Sequence, residues 1–320
     1  MSLIEQAAKR LEQLRQAGVE IPEDNVPHTV TPPIQPKQDI APPTQVTAAA
    51  PAPSPALASP VAAKPEPHAR TLPQQQVALN LETISASGLL VPNAARSQLA
   101  DEFRVIKRPL IANAMGRGSM PIPNGNLIMV TSALPGEGKS FSAINLAISI
   151  AMELDNTVML VDADVARPSV LNMLGLPPAK GLLDVLQDNS LDISGVLLKT
   201  NIEKLTILPS GTPHPRATEL LASDAMIRLL DDMASRYSDR IIVFDSPPLL
   251  LTTEARVLAT HMGQVVIVVN AENTVQAAVK QAIATIESCP VKMMVLNQIR
   301  TTKSEGYGYG YGYGYGHDKK

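Results

Sequence analysis

The 320-residue chain has one cysteine, no tryptophan and three phenylalanines. A lone thiol, Cys289, cannot build a disulfide framework or a cysteine-cluster metal site within one chain. Its apolar neighbours predict a buried thiol. A surplus of either charge is also missing. Twenty-seven basic residues against 30 acidic ones leave a net charge of −3 and a pI near 6.0, with no basic excess for nucleic acid. No apolar run reaches the ~18 residues of a membrane-spanning helix. The opening MSLIEQAAKRLEQLRQ carries charges from Glu5 onward and no apolar core, so it does not read as a secretory signal. On these absences the chain is expected in the cytoplasm, held at a membrane only by a partner.

Proline is plentiful but uneven. Residues 20–73 hold fourteen of the 28 prolines among Ala, Gln and Thr. Such a stretch cannot bury enough apolar surface to offset its ordering entropy. This predicts a disordered linker over 19–75 between an amphipathic helix at 1–18 and a domain at 76–302. In the first segment Ser2 and Glu5 form a capping-box pattern, and Ile4, Ala7, Ala8, Leu11 and Leu14 share one face. Alone it is marginal, so it reads either as a docking helix for a partner or as a solvated terminus. Residues 76–115 read as helical. Short apolar runs then recur at 127–130, 158–161, 205–208, 241–244, 265–269 and 293–296, with helical stretches at 141–153, 217–237 and 275–287. Near-continuous apolar strands alternating with helices predict an α/β fold: a doubly wound, mainly parallel sheet of the P-loop NTPase type.

Tyrosine has its own distribution. Five of six fall in the last fourteen residues, alternating with glycine: Tyr307, Tyr309, Tyr311, Tyr313 and Tyr315. The segment 303–320 reads as a flexible tail of phenol acceptors, or more blandly as a sticky Gly-Tyr tract.

Three motifs carry chemistry. Ala133-Leu134-Pro135-Gly136-Glu137-Gly138-Lys139-Ser140 follows a predicted strand and opens a helix, the setting of a P-loop. Its N–H groups from Pro135 through Phe141 would surround phosphate (Pro135 itself giving only the turn), Lys139 would reach the β- and γ-phosphates, and Ser140 would ligate Mg²⁺. Ala133 replaces the usual first glycine, and Phe141 a frequent hydroxyl. Val161-Asp162-Ala163-Asp164 closes a second strand with two carboxylates facing one crevice. One suits Mg²⁺ and the other the proton of an incoming hydroxyl. A capping role for the helix expected near Pro168 falls to Asp164 more readily than to Asp162. Phe244-Asp245-Ser246-Pro247-Pro248 places a third Mg²⁺-type carboxylate at a strand end, with prolines stopping the strand. Asn297, ending the last strand at the ligand edge, is a candidate for adenine contact.

In this order and spacing the three motifs and the tyrosine tail resemble the bacterial tyrosine kinases of polysaccharide export, over roughly residues 76–320. Without the tail they would also fit partitioning and septum-positioning ATPases, although those usually carry a signature lysine where this chain has Leu134. The segments SLIEQAAKRLEQLRQAG and NAARSQLADEFRVIKRPLIANA resemble the exopolysaccharide and exosortase-associated branch. The resemblance implies an ATP- and Mg²⁺-dependent autokinase with Lys139, Asp162 and Asp164 catalytic. It implies metal ligands among Ser140, Asp162, Asp164 and Asp245, with Asp162 as general base or, with the two roles exchanged, Asp164. It also implies a ring-forming helix carrying Asp101, Arg104 and Lys107, and a membrane-spanning chain-length activator as partner. Ala166 lies where many relatives carry Arg, with Arg167 just after it.

Overall fold

Each of the six apolar runs forms a strand. In the structure, a computed structural model that describes residues 75–93, 96–118, 120–188, 190–236 and 240–300, they join two further strands. The strands are β1 (Gln75–Val77), β2 (Leu127–Ser132), β3 (Thr157–Asp162), β4 (Leu198–Thr200), β5 (Leu205–Leu208), β6 (Arg240–Asp245), β7 (Gln264–Asn270) and β8 (Val291–Asn297). They lie in one sheet in the order β1-β4-β5-β3-β6-β2-β7-β8. Every pairing is parallel except β4 with β5. The chain divides into units 1–64 and 65–320, and all described residues belong to the second. The expected helix at 1–18, most of the linker and the tail at 303–320 lie outside the described residues.

The central strands are buried on both faces, which explains their unbroken apolar sequences. Leu127, Met129, Met159, Val161, Ile242, Phe244, Val265 and Ile267 face one layer. Ile128, Val130, Val158, Leu160, Ile241, Val243, Val266 and Val268 face the other. On that second face lies the helix Lys139–Ala151, whose residues from Ser142 to Ala151 are all buried. It is covered on its outer side by Gln98–Ala114. A two-sided burial of this kind needs apolar residues all round the helix, and FSAINLAISIA supplies them. Its one large polar residue, Asn145, is wholly buried and satisfied: it accepts from Leu90 N at 2.7 Å and donates to Phe141 O at 3.0 Å.

The sequence expectations need three corrections. Residues 76–115 are not one helical stretch: after β1 come α1 (Leu81–Ala86) and α2 (Gln98–Ala114). Asn80 caps α1 through the N–H groups of Glu82 and Thr83, Gly88 (φ 81°) ends it, and Ser97 caps α2 through Ala100 N. The Lys139–Ala151 helix is therefore α3, followed by α4 (Val170–Met173) and α5 (Leu182–Gln187). The span 217–237 splits into α6 (Ala217–Leu221) and α7 (Asp224–Arg236). Ser223 breaks it, its hydroxyl donating to Leu220 O and accepting from Met226 N. The remaining helices are α8 (Thr253–Ala259) and α9 (Gln276–Ala284). Finally, β8 is an edge strand that alternates in burial, leaving Met294 and Leu296 exposed. Cys289 is buried, as expected.

Among the described residues no helix is long and apolar enough to cross a membrane.

Candidate active site

Adjacent carboxyl ends of a parallel sheet open one crevice, and here β2, β6 and β3 are neighbours. They therefore bring the P-loop, Asp245 and the Asp162/Asp164 pair together. Asp162 and Asp245 are register partners across β3 and β6. The two prolines after Asp245 turn the chain over the end of β2, where Thr131 Oγ1 donates to Pro247 O at 2.8 Å and Leu249 N to Ser132 O at 2.8 Å.

Lys139, first residue of α3, points into this crevice. Its Nζ donates to Asp164 Oδ2 at 2.6 Å and lies 3.7 Å from Asp245 Oδ1, too far for a hydrogen bond. It also donates to Ser140 Oγ at 3.3 Å. The helix cap goes to Asp162, not Asp164: Asp162 Oδ2 accepts from Ser169 N and Val170 N, both at 3.1 Å. Asp164 instead holds Lys139 and the Arg167 N–H.

That leaves three oxygens without donors. Asp162 Oδ1 and both carboxylate oxygens of Asp245 are buried and make no hydrogen bond. Burial raises Asp162 from 3.8 to about 7, with the Asp245 and Asp164 charges adding to it and the Val170 and Ser169 N–H groups opposing it. Burial likewise raises Asp245 to about 6, against the pull of Lys139 and Ser140. A carboxylate without donors is costly to bury, and a hydrated Mg²⁺ is the hard, oxygen-seeking ion that would relieve it. Among the described residues no group of three or more His, Cys, Asp or Glu side chains forms a metal cage. The residues present fit the ion.

The P-loop turns through two left-handed glycines, Gly136 (φ 81°) and Gly138 (φ 92°). A Cβ on Gly136 would meet nothing within 4 Å, whereas one on Gly138 would lie 2.1 Å from Asn297 Nδ2. The two alanine variants should therefore separate. Gly136→Ala carries only the left-handed cost of about 1–2 kcal/mol, a loss of roughly tenfold in ADP affinity. Gly138→Ala carries the same cost and also displaces Asn297, so it should lose roughly thirtyfold, about threefold more than Gly136→Ala.

The side chain of Glu137, whose N–H group is the part expected at phosphate, turns away from the crevice. It is 2% exposed. Its Oε2 accepts from Leu134 N at 2.6 Å, and its Oε1 from Asn270 N at 3.3 Å and from the Thr274 hydroxyl. Asn297 spends one of its two amide N–H groups inside the protein, its Nδ2 donating to Glu137 O at 2.9 Å. Phe141 lines a groove of about 600 Å³ between α2 and β8. The interface set divides. Asp101 and Arg104 pair with each other on the exposed face of α2. Lys107 is 4% exposed and points inward to Ser149 O at 2.5 Å and Glu153 Oε1 at 2.7 Å. Tyr307–Tyr315 lie outside the described residues. Sequence reasoning missed Asn270, Thr274 and Gln298 as supports of the P-loop. Asn270 had a signal, being a polar residue that closes an apolar strand at the ligand edge.

A family model described as "AAA domain" matches residues 125–298. The tyrosine-protein kinase YwqD of Bacillus subtilis (strain 168) is 33% identical over 182 residues, 56% of this chain and 75% of YwqD. The succinoglycan biosynthesis transport protein ExoP of Rhizobium meliloti (strain 1021) is 33% identical over 183 residues, 56% of this chain but only 22% of ExoP. The kinase domain of the Escherichia coli tyrosine kinase ETK superposes with a TM-score of 0.59 at 26% identity, covering 70% of this chain and 84% of that one.

Proposed function

Since the chain belongs to the AAA-domain family and, within it, to the bacterial tyrosine kinases, we propose that it moves the γ-phosphoryl of ATP onto its own Gly-Tyr tail and thereby regulates exopolysaccharide export. The kinase activity follows from the family. The autophosphorylated tail and the polymer are this reading's own, the latter supported by the name of ExoP. The observation that carries the reading is the crevice itself: a P-loop lysine above three buried aspartates, two of them raised toward neutrality.

A second cleft, about 430 Å³, opens beside Lys139. It is walled by Pro135, Asp164, Arg167, Pro247, Pro248 and Leu251. Proline and leucine faces pack an aromatic ring, so the acceptor phenol enters from here. Lys139 and the P-loop N–H groups bind the phosphates and orient the γ-phosphorus. Ser140 and Asp245 would hold Mg²⁺, which supplies positive charge against the phosphate oxygens. Asp164 fixes Lys139. Asp162, with one oxygen committed to the Ser169 and Val170 N–H groups, keeps Oδ1 for the phenol proton. The bond from the γ-phosphorus to ADP breaks as the bond to the phenol oxygen forms, and the proton passes to Asp162. Tyrosine ionises near 10 in water, so a base is needed near neutrality.

A membrane-spanning chain-length protein is the proposed activator, with residues 1–18 as the proposed dock. A ring of copies is proposed through the exposed Asp101–Arg104 face, without Lys107, whose charge is spent within the chain. Purified protein incubated with Mg–ATP, with and without the activator's cytoplasmic end, should gain phosphate on Tyr307–Tyr315 by mass spectrometry. Lys139→Met should not. ATP hydrolysis with an unmodified tail under both conditions would point instead to a positioning-type ATPase.

A further inference from the structure

A phosphate cradle needs its peptide N–H groups turned inward, which turns the matching carbonyls outward. Two of those carbonyls, Gly136 O and Glu137 O, meet donors from a distant part of the chain. Gln298 Nε2 donates to Gly136 O at 3.1 Å, and Asn297 Nδ2 donates to Glu137 O at 2.9 Å. Both donors come from the carboxyl end of β8, and they are themselves held. Asn270 Nδ2 donates to Gln298 Oε1, Ala271 N donates to Asn297 O at 2.9 Å, and Gln298 adopts φ 59° to reach the loop. From the inner side, the Glu137 carboxylate ties Leu134 N to Asn270 N and Thr274. The loop is thus gripped at its carbonyls by β8 and at its buried carboxylate by the end of β7.

We propose that Asn297 and Gln298 are positioning residues of this kinase: their amides hold the peptides after Gly136 and Glu137 in the orientation that presents N–H to phosphate. Left-handed glycines flank those peptides, so little else opposes a flip. A flipped peptide would aim a carbonyl oxygen at the phosphates and repel them. Neither residue touches the reacting atoms; both act through the loop. Among the described residues, the strand that carries them lies at the edge of the sheet and is the last before the tyrosine tail in sequence. A partner or tail segment that shifts the end of β8 would therefore change nucleotide affinity through these two bonds.

The inference rests on the nucleotide reading of the P-loop, and its test separates the two. Asn297→Asp and Gln298→Glu are near-isosteric and replace the donor with an oxygen that repels the carbonyl. Each should weaken ADP binding about tenfold by calorimetry and raise the KM for ATP in proportion, while kcat moves less than about twofold. Asn297→Ala, which lets water reach the carbonyl, should cost less, about threefold. Met294→Ala, on the exposed side of the same strand, should change nothing. Unchanged ADP affinity in both acidic variants overturns the proposal. So does a loss shared by Met294→Ala and accompanied by a lower melting temperature in all, since that marks a loosened strand. Wild-type protein that binds no ADP overturns the nucleotide reading itself.

Discussion

Replacing Asp162 with asparagine is expected to slow phosphate transfer by about 10²–10⁴-fold, the span of general-base contributions, and to change ADP affinity only a few-fold. The geometry makes this a clean substitution. An asparagine Oδ1 can take over the Ser169 and Val170 N–H groups that Asp162 Oδ2 accepts, so the start of α4 keeps its anchor. Only the oxygen facing the crevice is lost. The pH dependence gives a second, independent reading. The base works when ionised, and burial with the Asp245 charge puts Asp162 near 7. The kcat/KM of the wild type, which reports groups of the free enzyme, should rise with unit slope below about pH 7 and level above it. In Asp162→Asn the limb near 7 should vanish, leaving a low profile that falls only below about pH 6, where Asp245 takes up its proton. The exchanged assignment, with Asp164 as base, predicts the opposite pair of results. Asp162→Asn would then retain activity within about threefold and keep the wild-type profile, and Asp164→Asn would lose the rate. Asp164 is the poorer base on geometry, because both of its oxygens are already engaged, one by Lys139 and one by Arg167 N.

Much of the fold was legible in the sequence because strand ends and the proposed catalytic residues coincide. An apolar run closed by Asp162, Asp245 or the P-loop announces both a buried parallel strand and what its carboxyl end presents. Local patterns cannot show which ends become neighbours, yet in a doubly wound sheet any strand end opens on the same edge, so the site could be assembled without the strand order. Side-chain direction was not legible. Glu137 sits amid the residues proposed to bind phosphate but points to β7, because its own loop leaves Leu134 N in need of an acceptor. Lys107 lies at helical spacing from Arg104, but α2 packs on α3, and the inward face of α2 receives Lys107. Nor was the grip of β8 on the loop, since Asn297 and Gly138 are 159 positions apart in sequence and in close approach only in the fold. The short strands β1 and β4 carried no signal, being three residues each at the antiparallel margin of the sheet.

Asp245→Asn should make the nucleotide-free protein more stable and the enzyme worse. An acid whose pKa is raised by folding destabilises the native state wherever it must ionise. The folded value for Asp245 is about 6 against an ordinary 3.8, so its ionisation costs the fold on the order of 3 kcal/mol at pH 8. That cost is present in full above about pH 6 and disappears as pH falls toward 3.8, where the carboxyl is protonated in both states. Asparagine removes it. Lys139 keeps its bond to Asp164. The variant should therefore melt about 2–8 °C above wild type at pH 8, for a gain of roughly 1–3 kcal/mol in a domain of this size. The gain should shrink to nothing near pH 4. Mg–ADP should reverse the order, because ligand binding stabilises in proportion to affinity and the variant has lost the carboxylate proposed to hold the ion. A nucleotide-free variant that melts below wild type at pH 8 would mean that the Asp245 charge is already compensated within the protein, and that the need for Mg²⁺ does not arise from its burial. The crossing of the two melting orders on adding Mg–ADP would instead identify the three buried aspartates as a site held at a cost to the fold, which its ligand repays.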